Sequence, residues 1–226
     1  MTFSIVIRNP ENGEFGSAIS SSSPAVAARC VNLADGVGAV NSQNVTDPRL
    51  GTELIAALKR GLSATEALDE VVAGADQNTI GYRQLLVVDS QGRTAIYSGN
   101  NALGTFGDAQ QENIAAGGNM LASLDVLDAM VKAAAESTGT TEERLIAAMR
   151  AGIAAGGEEG PVHSAGLSVV GSAGWRITDL RVDWTEEDPI EELAKLVDLW
   201  LPQRDDYVSR GLNPAAAPSY GVPGDE

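Results

Sequence analysis

"TFSIVIRNPENGEFGSAISS", residues 2–21, decides the architecture. Phe3, Ile5 and Ile7 alternate with Thr2, Ser4 and Val6, the two-residue period of a strand. Pro10 and the Asn12-Gly13 pair mark a hairpin turn, and "FGSAISSS" returns as a second strand. Folding about Asn12 sets Thr2 opposite Ser21 to Ser23, so the chain start and the serine run share one sheet end.

Working outward, "DGVGAVNSQN" (35–44) reads as a third strand, Gly-rich and buried on both faces. A helix follows over about Leu50 to Arg60, and a second opens at Ser63 with Glu66 completing a capping box. "RQLLVVDSQGRTAIYSG" is another hairpin with Gln91-Gly92 at its tip. From Leu121 to Gly156 two amphipathic helices are expected, broken at Gly139, the second capped by Thr140 or Thr141. "HSAGLSVVGSAGWRITDLRVDW" gives a strand pair turning at Ser172 to Gly174, and "DPIEELAKLVDLWL" a helix with Pro189 near its start. Periodicity is lost from Pro202, which predicts one domain over 1–201 and an acidic, Pro/Ala/Gly-rich tail over 202–226. Strands grouped as hairpins between helix pairs predict an α+β fold, a four-layer αββα sandwich of antiparallel sheets.

The chain has 226 residues and a formal net charge of −16. That acidity and the lack of a basic stripe disfavour nucleic acid, whose binding depends on Lys/Arg clusters. No run approaches the ~20 apolar residues of a membrane helix, and no secretory signal is recognised at the N-terminus, so a cytoplasmic location is expected. One cysteine, Cys30, and one histidine, His163, leave no ordinary His/Cys zinc set and no intramolecular disulfide. No G-x-S-x-G elbow or Walker sequence occurs. Neither metal nor organic cofactor is implied. The remaining chemistries are a Thr or Ser served by a base other than histidine, carboxylates acting alone, or binding without catalysis.

Thr2 fits the first. An initiator methionine is commonly trimmed before a small residue, which would leave Thr2 with a free α-amine. Such an amine has a pKa near 8 and can take the proton of its own side-chain hydroxyl, an activated nucleophile that needs no histidine. Thr2 equally reads as a β-branched residue that starts a strand.

Several stretches in this order resemble the DUF1028 family: "TFSIVIRNPENGEFGSAISS", "GVGAVNSQNVTDPRLG", "YRQLLVVDSQGR", "GGNML" and "AAGGEEGPVHSAGLSVV". The resemblance runs from residue 2 to about residue 199. It implies an N-terminal-nucleophile (Ntn) hydrolase-like fold, the same αββα sandwich, with Thr2 in the nucleophile's position and "NSQN" running beside the first hairpin. It implies no particular substrate. Many members carry an acidic residue, then Arg and Gln, before Ser-Ala. Here Glu158 holds the acidic place, but Pro161 and His163 stand where Arg and Gln are frequent.

Around such a nucleophile, hydrogen-bond donors are needed where negative charge develops. Asn41, Ser42 and Gln43 are candidates, or ordinary polar residues ending a strand. Asn119 is an oxyanion donor or the N-cap of the next helix. Arg49 and Arg83 can clamp a substrate carboxylate or form surface ion pairs. Glu158 is a loop acid of functional or merely surface character. His163 is a proton shuttle or a satisfied strand-end residue, and Ser21 lines the mouth beside Thr2. The expected activity is hydrolysis of a small amide, lactam or ureido compound through Thr2. The alternatives are an Ntn-fold protein that binds a small molecule or partner enzymes, and a carboxylate hydrolase built on Glu158. Small-residue-rich helices predict a homo-oligomer.

Overall fold

The computed structural model describes residues 1–222. The chain begins in a hairpin, β1 (Thr2–Arg8) and β2 (Phe15–Ser21), with Thr2 directly opposite Ser21. The turn is shaped by Asn9 and Asn12, whose side-chain oxygens accept from the backbone N–H groups of Glu11 and Glu14, and by Gly13 at φ +77°. A short helix, α1 (Val26–Cys30), leads to a second hairpin, β3 (Val31–Ala34) and β4 (Gly38–Asn44). The strand expected over 35–44 is β4, which starts at Gly38, and β3 precedes it where no strand was expected. Gly36 at φ +65° provides the turn between them.

Two helices follow, α2 (Pro48–Lys59) and α3 (Ala64–Gly74). Asp47 caps α2, and the Ser63–Glu66 capping box on α3 is formed as expected. β5 (Arg83–Asp89) and β6 (Thr94–Ser98) make the Gln91-Gly92 hairpin. A further hairpin, β7 (Gly107–Gln111) and β8 (Ile114–Asn119), occupies a stretch with no predicted strand. Asn119 consequently ends a strand and caps no helix. The next helix, α4 (Asp125–Glu136), begins four residues later than expected, after Leu121 forms an isolated bridge to Glu158. α5 (Thr141–Ala154) carries its capping box on Thr140 and Glu143. β9 (Ser164–Val170) and β10 (Arg176–Val182) precede the last helix, α6 (Pro189–Leu212).

The strands form two antiparallel sheets, one ordered β10-β9-β2-β1-β8-β7 and one ordered β3-β4-β5-β6. Helices cover the outer face of each. Phe3, Ile5 and Ile7 pack with Met130, Leu145 and Met149 on the helix side of the large sheet. Leu54, Leu58 and Leu68 pack with Val40, Leu85 and Val87 on the helix side of the small sheet. Val6, Ala39, Leu86, Val88 and Ala115 meet between the sheets. Full burial of each large side chain contributes about 1.5–3 kcal/mol. The four-layer αββα sandwich is thus observed. β4 lies in the facing sheet, not beside the first hairpin: its ladders run to β3 and β5.

Helical order does not stop at Pro202. α6 continues through it to Leu212, and Arg204 beyond the proline donates to both carboxylate oxygens of the fully buried Glu142 at 3.1 Å. Arg210 then stacks on Tyr207 and Tyr220, folding the following residues back along the helix. The end of the expected tail, residues 223–226, lies outside the described residues.

Candidate active site at the head of the first strand

The ladder of the large sheet sets Thr2 opposite both Ser21 and Asn119, and Ser21 opposite Ser164. Directly opposed residues of an antiparallel pair point to the same face. Asn119, Thr2, Ser21 and Ser164 therefore form one polar row across the end of the sheet, none more than 6% exposed. Alternation along β1 turns Thr2, Ser4 and Val6 toward the other sheet. The layer between the sheets is apolar at Val6 and becomes polar toward Thr2.

A relay of amides crosses that polar end. Ser4 Oγ donates to Gln43 Oε1 at 2.5 Å, and Gln43 Nε2 donates to Gln84 Oε1 at 2.8 Å. Gln84 Nε2 donates to the Gly118 carbonyl at 3.1 Å, and Asn119 Nδ2 approaches Gln84 Oε1 at 3.4 Å. Gln43 and Gln84 are fully buried, so these bonds hold Asn119 and the strand end in place.

Met1 occupies the mouth. Thr2 Oγ1 and Ser21 Oγ both donate to its carbonyl oxygen, at 2.5 and 2.6 Å, and the two hydroxyl oxygens lie 3.4 Å apart. Gly160 touches the methionine side chain so closely that a Cβ there would stand 2.8 Å from Met1 Cε.

Glu158 sits beside this group on the loop after α5. Gly156 and Gly157, at φ +120° and +59°, turn the chain sharply there. Backbone bonds from Ala122 to Gly157 and from Glu159 to Met120 pin the loop to the segment after β8. Glu158 Oε2 accepts from Ser22 N–H at 3.3 Å, while Oε1 is buried without a partner. Burial pushes the carboxyl up to about 8, against the pull of the Met1 α-ammonium and the Ser22 N–H.

Other expected residues stand apart from the row. Asn41 lies deeper between the sheets, where its Oδ1 accepts from Ser17 Oγ at 2.8 Å and its Nδ2 is buried unpartnered. Ser42 faces the helices and donates to the Asp47 carbonyl. Arg49 is inside the first turn of α2, its side chain 83% exposed and paired with Asp47. Arg83 donates to the Val45 carbonyl. Both arginines line a cleft of about 360 Å³ with Glu53, Asp76 and Thr79, and none of the polar row lines it. The His163 backbone N–H donates to the Ser21 carbonyl at 2.9 Å, extending the ladder by one residue. Its ring stacks on Trp184 at 4.3 Å, with Nδ1 2.9 Å from the Thr185 carbonyl. That ring is a peg between loops, with no hydrogen bond to Thr2.

Gln84, Ser164 and Ser4 join the site without having been expected there. The signal available for Gln84 was a polar residue opening the otherwise apolar "LLVV" strand; for Ser164 it was the start of "SAGLSVV".

Fold and site define an αββα sandwich with a threonine at the head of a central strand, at the polar end of the layer between the sheets. The chain belongs to the family of unknown function DUF1028, whose model matches residues 2–193. It is similar to protein SPO2555 from Silicibacter pomeroyi, a member of that family known from a crystal structure: 30% identity, 88% of each chain covered, TM-score 0.80. A comparison with Anbu, the ancestral beta-subunit from Yersinia bercovieri, gives 10% identity, 89% of this chain and 95% of that one covered, and TM-score 0.42. No curated protein matches the chain.

Proposed function

We propose that the protein is an N-terminal-nucleophile hydrolase of a small amide, lactam or ureido compound, with Thr2 as nucleophile once Met1 is removed. The supporting observation is the convergence of Thr2 Oγ1 and Ser21 Oγ on one carbonyl oxygen. Loss of Met1 turns the Thr2 backbone nitrogen into an amine beside its own hydroxyl. That amine takes the Oγ1 proton as Oγ1 attacks the substrate carbonyl. Ser21 Oγ, already a donor to a carbonyl oxygen, serves the developing oxyanion, with Asn119 held one strand away. The α-ammonium returns the proton to the departing nitrogen, and water clears the ester. No cofactor takes part.

A second reading has one observation of its own. Met1 blocks the amine and occupies both hydroxyls, which suits an Ntn-fold protein that binds without catalysing. The intact mass of the protein from its native host separates the two. Loss of Met1, followed by a covalent adduct of an amide-mimicking electrophile on Thr2, is the expected result. Full retention of Met1 overturns the nucleophile.

A further inference from the structure

Met1 is bound as an acyl group would be. Its carbonyl meets the two hydroxyls, its side chain lies against Gly160, and its α-ammonium is the charge that acts on Glu158. An acyl group on the threonine nitrogen and one on Oγ1 differ only by the span of a five-membered ring. Met1 therefore stands in for the acyl part of a substrate, its carbonyl for the scissile carbonyl, while its ammonium acts on Glu158 from a distance and leaves Oε1 without a partner.

We propose that the substrate is an aminoacyl amide, and that Glu158 recognises the primary amine on its acyl part. This rests on the reading of Thr2 as nucleophile. Two features of Glu158 carry it. The carboxyl is 6% exposed and Oε1 has no partner, a costly state for a buried acceptor that a bound ammonium relieves. The other oxygen is fixed by Ser22 N–H, next to Ser21 in the chain, so the free one keeps its place relative to the polar row. An ammonium brought within hydrogen-bond reach of Oε1 makes a charge-assisted pair there, which favours an amine over a neutral group of the same size. The reaction balances as hydrolysis. The Oγ1–acyl bond forms as the acyl C–N bond breaks, the nitrogen leaves with the Oγ1 proton, and water supplies hydroxyl to the acyl carbon and a proton to Oγ1. The products are an amino acid and ammonia or an amine.

Calorimetry with L-methioninamide and N-acetyl-L-methioninamide tests this on protein lacking Met1 and carrying Thr2→Ala to prevent turnover. The free amine should bind about tenfold tighter or more, and Glu158→Gln should level the two affinities. Equal affinities in the parent, a preference that survives Glu158→Gln, or no binding of either compound overturns the proposal. The ligand comparison in the parent stands even where the glutamine variant fails to fold. The nucleophile is tested separately: protein beginning at Thr2 that binds methioninamide yet releases no ammonia removes Thr2 chemistry and leaves the amine site standing.

Discussion

Thr2 and Ser21 are direct partners across the first hairpin, and their hydroxyls close on the same oxygen atom. Under the proposed mechanism Thr2 Oγ1 attacks a carbonyl whose oxygen Ser21 Oγ holds, and single substitutions separate those two tasks.

In protein beginning at residue 2, Thr2→Ala should lower turnover of a reactive amide at least about a thousandfold. Thr2→Ser should retain activity, because amine and hydroxyl keep their relation. Circular dichroism should be unchanged in both, since the large core side chains of β1 are Phe3, Ile5 and Ile7. A Thr2→Ala protein with undiminished activity assigns the chemistry elsewhere, with Glu158 the first place to look.

Ser21→Ala should lower kcat about a hundredfold with little change in KM, the signature of a donor used mainly when charge develops on oxygen. An equal loss in binding of the ground-state amide would instead make Ser21 a substrate anchor. Steady-state kinetics with a chromogenic amide distinguish these outcomes.

Glu158 gives a pH dependence with a definite sign. Its folded-state pKa, about 8, lies above the ordinary carboxyl value of 4.5, so between those values the folded chain holds more protons than the unfolded one. Stability falls as pH rises through that window and levels off above it. Glu158→Gln should abolish that slope, and above pH 8 should exceed the parent by up to ~2–5 kcal/mol. Urea titrations of the Met1-bearing chain at pH 5, 7 and 9 measure it. Parallel parent and variant curves would show that the carboxyl does not titrate as its burial dictates.

Arg204 neutralises a fully buried carboxylate, Glu142, and lies 3.7 Å from Glu14. Arg204→Ala should destabilise the protein by about 3–5 kcal/mol, because it strands a buried charge. Ending the chain at Leu201 should cost at least as much. A truncated chain as stable as the parent would make residues beyond 201 dispensable to the fold.

The local parts of this architecture were legible because their signals are short. Asn12-Gly13 sets the turn that brings Thr2 to Ser21, the Ser63–Glu66 capping box is a four-residue pattern, and Thr140 is one of the two caps expected for α5. β7 and β8 were not, because "GDAQQENIAAGGN" contains one β-branched residue, Ile114. Its glycines make room instead: a Cβ on Gly117 would stand 3.0 Å from Leu86 of the facing sheet, and one on Gly118 2.8 Å from Leu121. Tertiary packing outweighs propensity there. The same holds at Pro202, where a ring that breaks a helical hydrogen bond is tolerated in a helix anchored by Arg204. Thr2 was found as a residue. Its place opposite Asn119 required β8 to pair with β1, and the approach of Gln84 to Asn119 required the sheets to be stacked, neither of which a local pattern encodes.

The half-buried position of Met1 makes its removal a matter of timing. β1 gains its first neighbour, β2, within the first 21 residues, but β8 must wait for residues 114–119 to emerge. During synthesis at roughly 5–20 residues per second, the chain start stays reachable by a processing peptidase for several seconds. Once β8 pairs and the Glu158–Gly160 loop closes over the methionine, its carbonyl is engaged and its side chain enclosed on one side. Under the proposed mechanism, a chain whose methionine outlasts that interval stays capped and inactive.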